Sequence, residues 1–141
     1  MSTKSDIFLD SDDALALGEL LSRNAHVAEA DEARRVLVAK LLDATIVEPR
    51  ALPPGTVRLH STVTYEELPA GTQRRVTLVN PRDADAARGR ISILSPVGRT
   101  LLGQKEGRMI EIELPAGRNL QLRVIEASAV KSEPGPQPAV A

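Results

Sequence analysis

Between residues 48 and 56 the apolar pattern of this chain changes period, and that change constrains its fold more than any other feature. Ahead of it, Leu17, Leu20, Leu21 and Asn24, then Ala33, Val36, Leu37 and Leu41, recur at three- and four-residue intervals, the spacing that lines one face of a helix. Beyond it, Val63 and Tyr65, Val76 and Leu78, Ile110, Ile112 and Leu114, and Leu120, Leu122 and Val124 alternate with polar residues, which is the period of a strand. Pro49, Pro53, Pro54 and Gly55 punctuate the switch, since proline cannot continue a helix and glycine supplies the turn. Helices first and sheet second make an α+β fold.

The front, residues 1–48, is expected to be a short antiparallel helical hairpin, a small coiled coil. Asp10, Ser11, Asp12 and Asp13 are helix-starting residues, with carboxylates where the helix dipole favours them. The pattern breaks at Ala25–Ala28 and resumes with Glu29, Asp31 and Glu32 in a new first turn. Two amphipathic helices so closely joined must lie antiparallel, stripe against stripe. Each arm, at fourteen residues, would reach about 20 Å.

The body, residues 49–130, reads as an antiparallel β domain with one short helix. Leu68-Pro69-Ala70-Gly71 and Pro115-Ala116-Gly117 each join two alternating runs, so each marks a hairpin. Asn80 to Gly89 is a polar loop, and Ile91 and Ile93 begin a further strand. The last eleven residues, 131–141, are Pro-rich and polar and are expected to be a disordered tail.

Composition excludes several functions. There is no cysteine, hence no disulfide framework, thiolate metal site or thiol nucleophile. The start lacks the basic end and apolar run of a signal peptide, and no apolar stretch approaches membrane-spanning length. A cytoplasmic protein with no membrane partner is expected. The net charge of −1 exerts no overall pull on nucleic acid, although residues 1–48 are acidic and 49–130 mildly basic.

One stretch looks like a signature. From Gly98 the sequence reads G-x-x-x-x-G-Q-K, one residue from a phosphate-binding loop. In such a loop Lys and a hydroxyl residue follow the second glycine and open a helix. Here Gln104 and Lys105 take those positions. The helix also lies on the wrong side, since Ser95 is suited to an N-cap, Pro96 to the first helical position and Gly103 to a left-handed terminus. Nucleotide binding is excluded. A capped linker helix is the plain alternative.

Glu29, Asp31 and Glu32 sit near the hairpin tip, and two carboxylates at i, i+3 could share a Mg²⁺. Acidic residues in a first helical turn also satisfy the dipole and stay solvated, which is the preferred reading, so neither a metal nor a cofactor is expected. His26 and His60 are isolated and read as surface residues. Arg74, Arg75, Arg82, Arg88 and Arg90 could form a basic patch, but without interleaved aromatics they promise at most weak DNA contact.

The run ISILSPVGRTLLGQKEGRMIEIELPAGRNLQLRVIEA, residues 91–127, resembles the C-terminal domain of the Gre transcript-cleavage factors. The shared pattern is strand, Ser95-Pro96, short helix, Gly103 and Gly107, strand, Pro115-Ala116-Gly117, strand; TVTYEELPAGTQRRVTLV (62–79) and the NPRDAD loop also match. The short front, with the PVGRTLLG variant, is most similar to the Rnk family, regulators of nucleoside diphosphate kinase. The resemblance implies an FKBP-like body, and a monomer that binds bacterial RNA polymerase on its β′ subunit near the secondary channel. It would compete there with Gre-type factors without cleaving transcripts, and would not be an enzyme. Ser95, Pro96, Val97, Gly98 and Arg99 would form the polymerase-binding surface, with Glu29, Asp31 and Glu32 facing the channel. Leu94 stands where cleavage factors often carry an acidic residue. The FKBP-like fold also raises prolyl isomerase activity, but two aromatics, Phe8 and Tyr65, with Phe8 outside the domain, cannot line that pocket. The alternative is an interaction module that regulates nucleoside diphosphate kinase level or activity through another partner.

Overall fold

The computed structural model describes residues 7–23, 28–114 and 117–128, with side chains omitted at 28–31. The expected tail at 131–141, the residues Asn24 and His26, the turn residues Pro115 and Ala116, and the side chains of Glu29 and Asp31 therefore lie outside the described residues.

Two helices follow the first strand, in the order β1 (Phe8–Asp10), α1 (Ser11–Arg23), α2 (Ala28–Asp43) and β2 (Thr45–Val47). β1 and β2 form a two-stranded parallel sheet in which Leu9 faces Ile46. The sequence pattern predicted helices alone here; three-residue strands are too short to register as an alternation. Their pairing draws the outer ends of α1 and α2 together, which closes the helices into a hairpin. The Arg34 guanidinium ties the two helices directly, donating to the Leu21 carbonyl.

The body is a five-stranded sheet in the order β5-β4-β3-β7-β6, with β3 (Thr62–Leu68), β4 (Thr72–Val79), β5 (Arg90–Ser92), β6 (Met109–Leu114) and β7 (Arg118–Ala127). Both expected hairpins are present, β3 with β4 and β6 with β7. Inward positions alternate as the period-two reading required: Val63, Tyr65, Ile110, Ile112, Leu122 and Val124 are all buried. One expectation needs correcting. The body is not purely antiparallel, because β5 runs parallel to β4. The connection from Asn80 to Gly89 is too long for a tight hairpin, and its two 3₁₀ turns, Pro81–Asp83 and Ala86–Arg88, return the chain along the sheet edge in its original direction. His60 is likewise no ordinary surface residue. It is half-buried, takes a left-handed φ of 68°, and its N–H donates to the Leu78 carbonyl at 2.7 Å.

A single hydrophobic cluster runs through hairpin and body. Leu9, Leu17, Leu21 and Leu37 belong to it together with Val57, Leu59, Leu78, Leu101 and Leu102. The helical stripes thus serve the body as much as each other. On α2 the buried line is Ala33 and Leu37, and Val36 turns outward, being offset from Leu37 by about 100° around the axis. A pair of helices this short buries too little surface to stand alone, and burial against the sheet supplies the remainder.

Two carboxylates fix the junction. Asp10 and Asp13 are 0% and 2% exposed. Asp10 caps α1 by accepting from the Asp13 N–H at 2.7 Å and pairs with the Arg58 guanidinium at 3.1 Å. Asp13 accepts from the Leu59 N–H at 2.9 Å. The acidic cluster therefore starts the helix as expected, and also bolts it to the body.

Candidate functional site: the Ser95–Arg99 corner

The corner begins where β5 ends. Ile93 N–H donates to the Val79 carbonyl at 2.9 Å, which holds the chain on the sheet edge as it turns. Both the N–H and the hydroxyl of Ser95 then donate to the Ser92 carbonyl, at 3.0 and 2.6 Å. The Ser92 hydroxyl in turn accepts from the Leu94 N–H at 2.9 Å. Apart from the Ile93–Val79 bond to the neighbouring strand, each of these partners lies within three residues, so the turn itself is specified locally.

Ser95 is also the N-cap of α3 (Pro96–Leu101), its side chain accepting from the Gly98 N–H at 3.1 Å. Pro96 fills the first helical position, where its missing N–H is not needed. Gly98 is buried, and the approach is so close that a Cβ there would lie 2.1 Å from the Ser92 carbonyl oxygen. Gly98 therefore builds the corner and offers no side chain to a partner. Arg99 also turns inward, donating from Nη1 to the Leu94 carbonyl at 2.8 Å. Among the five corner residues, Pro96 and Val97 remain as half-buried apolar side chains.

Those two, with Tyr65, Ile91 and Leu114, line an open groove of about 490 Å³ to which Asp85 and Arg90 contribute charge. The β3–β7 register shifts between Thr64 and Tyr65, a bulge of the kind that re-aims a side chain, and Tyr65 is 4% exposed. Burial raises its phenol above the ordinary 10.0, Glu67 adds to the rise and Arg74 opposes it, so the hydroxyl keeps its proton at neutral pH. The groove can hold an apolar protein segment. Tyr65, Ile91 and Leu114 were read from sequence only as strand positions, because their convergence requires three different strands.

α3 ends in Leu102 and in Gly103, whose φ is +86°. Gly103 N–H donates to the Val57 carbonyl, and its carbonyl accepts from the Phe8 N–H at 3.2 Å. The left-handed terminus expected at Gly103 is thus present. Neither glycine forms a phosphate cradle: Gly98 faces a carbonyl and Gly103 is packed against Ile7 and Leu9.

Lys40 is the residue sequence reasoning missed. Its ammonium reaches from α2 to the C-terminal carbonyls of α3, donating to Arg99 at 2.8 Å, Thr100 at 3.1 Å and Leu102 at 2.6 Å. Burial pushes its pKa from 10.5 down to about 7. A signal was present: position 40 falls three after Leu37, on the apolar face of α2.

The other candidates are dispersed. Glu32 is exposed on α2, and among the described residues no three His, Cys, Asp or Glu side chains gather into a metal-binding group. Arg74 pairs with Glu67 at 2.7 Å and Arg88 with Asp85 at 3.6 Å, while Arg82 lines a separate cleft against α1 with Glu19 and Arg23. No helix among the described residues is long and apolar enough to cross a membrane.

Comparison with known proteins places this corner in a family. Transcription elongation factor GreA of Nitratidesulfovibrio vulgaris (strain DSM 19637 / Miyazaki F) is 36% identical over 105 residues, which cover 70% of this chain and 66% of the relative. GreA of Listeria welshimeri serovar 6b is 40% identical over 87 residues, covering 61% and 54%. The chain thus spans about half to two thirds of the length of these curated relatives. A solved structure, the prokaryotic transcription elongation factor GreA/GreB from Nitrosomonas europaea, matches with a TM-score of 0.73 and 37% identity over 86% of this chain and 98% of that one. Residues 52–129, from the last residues before the sheet to the end of β7, match the family described as transcription elongation factor, GreA/GreB, C-term, and the chain belongs to that family.

Proposed function

We propose that this protein is a transcription regulator that binds bacterial RNA polymerase through the Ser95–Arg99 corner, on the β′ subunit near the secondary channel. It competes there with Gre-type factors and does not itself cleave transcripts. On this reading the body is FKBP-like, the helices form a short coiled coil, and the chain belongs with the Rnk regulators, acting as a monomer and not as an enzyme.

The observation that carries the proposal is the corner itself. A locally locked turn holds Pro96 and Val97 over an apolar groove, and preformed apolar recesses of this kind suit protein partners. The hairpin supports the non-cleaving half. Its longer helix has 16 residues, or about 24 Å at the helical rise, a short reach into a channel. Glu32, with Glu29 and Asp31 near it in sequence, would then modulate the channel mouth through charge.

The test is direct binding to purified polymerase, followed by competition with a cleavage factor. Absence of both would sink the proposal. Pro96→Asp and Val97→Asp should weaken binding while circular dichroism stays unchanged, since an acidic residue in the first helical turn suits the dipole. Wild-type affinity in both variants would remove the corner from the interface. Shortened transcripts in backtracked complexes would overturn the non-cleaving half.

A further inference from the structure

α3 is gripped at both ends. Its N-terminal end is the corner, fixed by the Ser95 cap and by the fit of Gly98 against Ser92. Its C-terminal end leaves carbonyls without helical partners, as every helix does, and three carbonyls there accept from one ammonium, that of Lys40. Where the amine is charged, as it is below its lowered pKa of about 7, it also meets the negative end of the dipole, and as the neutral amine it keeps two N–H donors for the same carbonyls. Between the two ends lie six residues, about 9 Å of helix, with Leu101 and Leu102 both 0% exposed. Such a segment, held at both ends, is a short link between the hairpin and the corner.

Lys40 belongs to the hairpin. Six positions earlier on the same helix, Arg34 holds the Leu21 carbonyl at the end of α1. The hairpin is therefore tied internally by Arg34 and to α3 by Lys40. On the other side of the junction α1 is bolted to the body by Asp10 and Asp13. Beyond the shared core and the Phe8–Gly103 hydrogen bond, these polar attachments, Asp13 on α1 and Lys40 on α2, tie each helix separately and so fix the direction of the pair.

We propose that Lys40 is a positioning residue that sets the direction of the hairpin relative to the Ser95–Val97 corner, by clamping the C-terminal carbonyls of the helix whose N-terminus forms that corner. The proposal rests on the function inferred above for its consequence, since a factor anchored at the corner holds the channel mouth fully only if its hairpin points toward it. The clamp itself is independent of any partner.

The chain has no cysteine, so a pair of spin labels at Arg35→Cys and Arg118→Cys, both exposed positions, reports the angle between α2 and the sheet. Wild type should give one narrow distance distribution. Lys40→Met, close in volume but without donors, should broaden or shift it with circular dichroism unchanged, and Lys40→Arg should restore it. If the Met variant does not fold, Lys40→Gln, too short to span the three carbonyls, serves in its place. A wild-type distribution in the donor-free variant, or no rescue by Arg, overturns the clamp. In the polymerase assay, unlabelled Lys40→Met should bind, and therefore compete with a cleavage factor, about tenfold less well, the scale of a coupling between two sites, with Lys40→Arg restoring both. Undiminished competition would overturn the positioning role. Failure of wild type to bind polymerase would instead refute the inferred function, leaving the distance measurement to decide the clamp.

Discussion

The N-terminal end of α3 is held by Ser92, Leu94 and Ser95, residues of the turn that leads into it. The C-terminal end is held by Lys40, between 59 and 62 positions away. Local contacts of the first kind form as soon as the turn does, and they cost little chain entropy. The second kind exists only once α2 has docked on the sheet. Both grip the same short helix, the first through serine hydroxyls and turn carbonyls and the second through the carbonyls of the helix end, yet one end is largely a property of a peptide and the other of the whole fold. The corner should therefore be the more robust end, and the clamp the one that responds to conditions and to mutations elsewhere.

The largest expected effect probes the distant end. The Lys40 pKa is lowered from 10.5 to about 7, so between those values the unfolded chain binds the extra proton. Stability should rise with pH across that window, by on the order of a few kcal/mol at ~1.4 kcal/mol per unit. Urea unfolding from pH 7 to pH 10 measures the rise, and in Lys40→Met it should flatten. A slope that survives in the variant would assign the titration to another group.

Leu37→Ala tests the docking that the clamp depends on. Leu37 is 0% exposed, and its truncation should cost about 3 kcal/mol. Amide exchange at Leu102 and Gly103 should quicken more than at Gly98. Equal acceleration at both ends would break the distinction between them. Gly98→Ala tests the local end, because its Cβ would sit 2.1 Å from a backbone oxygen. A cost of about 2 kcal/mol is expected from the displaced turn, together with loss of polymerase binding. Ser95→Ala, the mildest, removes a cap worth about 1 kcal/mol. It should weaken polymerase binding while leaving the slope of stability against pH intact. A changed slope would mean that the two ends are not separable.

Much of the corner was legible because its determinants are adjacent in sequence. Ser95, Pro96 and Gly103 each occupy the position that their own chemistry favours, and Gly98 and Arg99 stand in the same turn. What those two do there was not legible. Gly98 is required by a carbonyl that only the folded turn brings close, and Arg99 curls back onto Leu94. The groove was hidden for a related reason, since Tyr65, Ile91 and Leu114 come from β3, β5 and β6. Val36 shows the same limit on a helix. Its spacing fits either side of the apolar stripe, and only docking decided that it faces outward.

By itself the sequence determined the elements that short-range physics controls: two helices, two hairpins, a capped helix, and the punctuation between them. Periodicity and capping act over three or four residues, so they can be read without knowing the fold. The tertiary structure decided the parallel return of β5, the pairing of β1 with β2, the bolting of Asp10 and Asp13 to Arg58 and Leu59, and the reach of Lys40 to α3. Those contacts join segments far apart in the chain. Each becomes favourable only after the others have closed the loops between them, and no local pattern records that order.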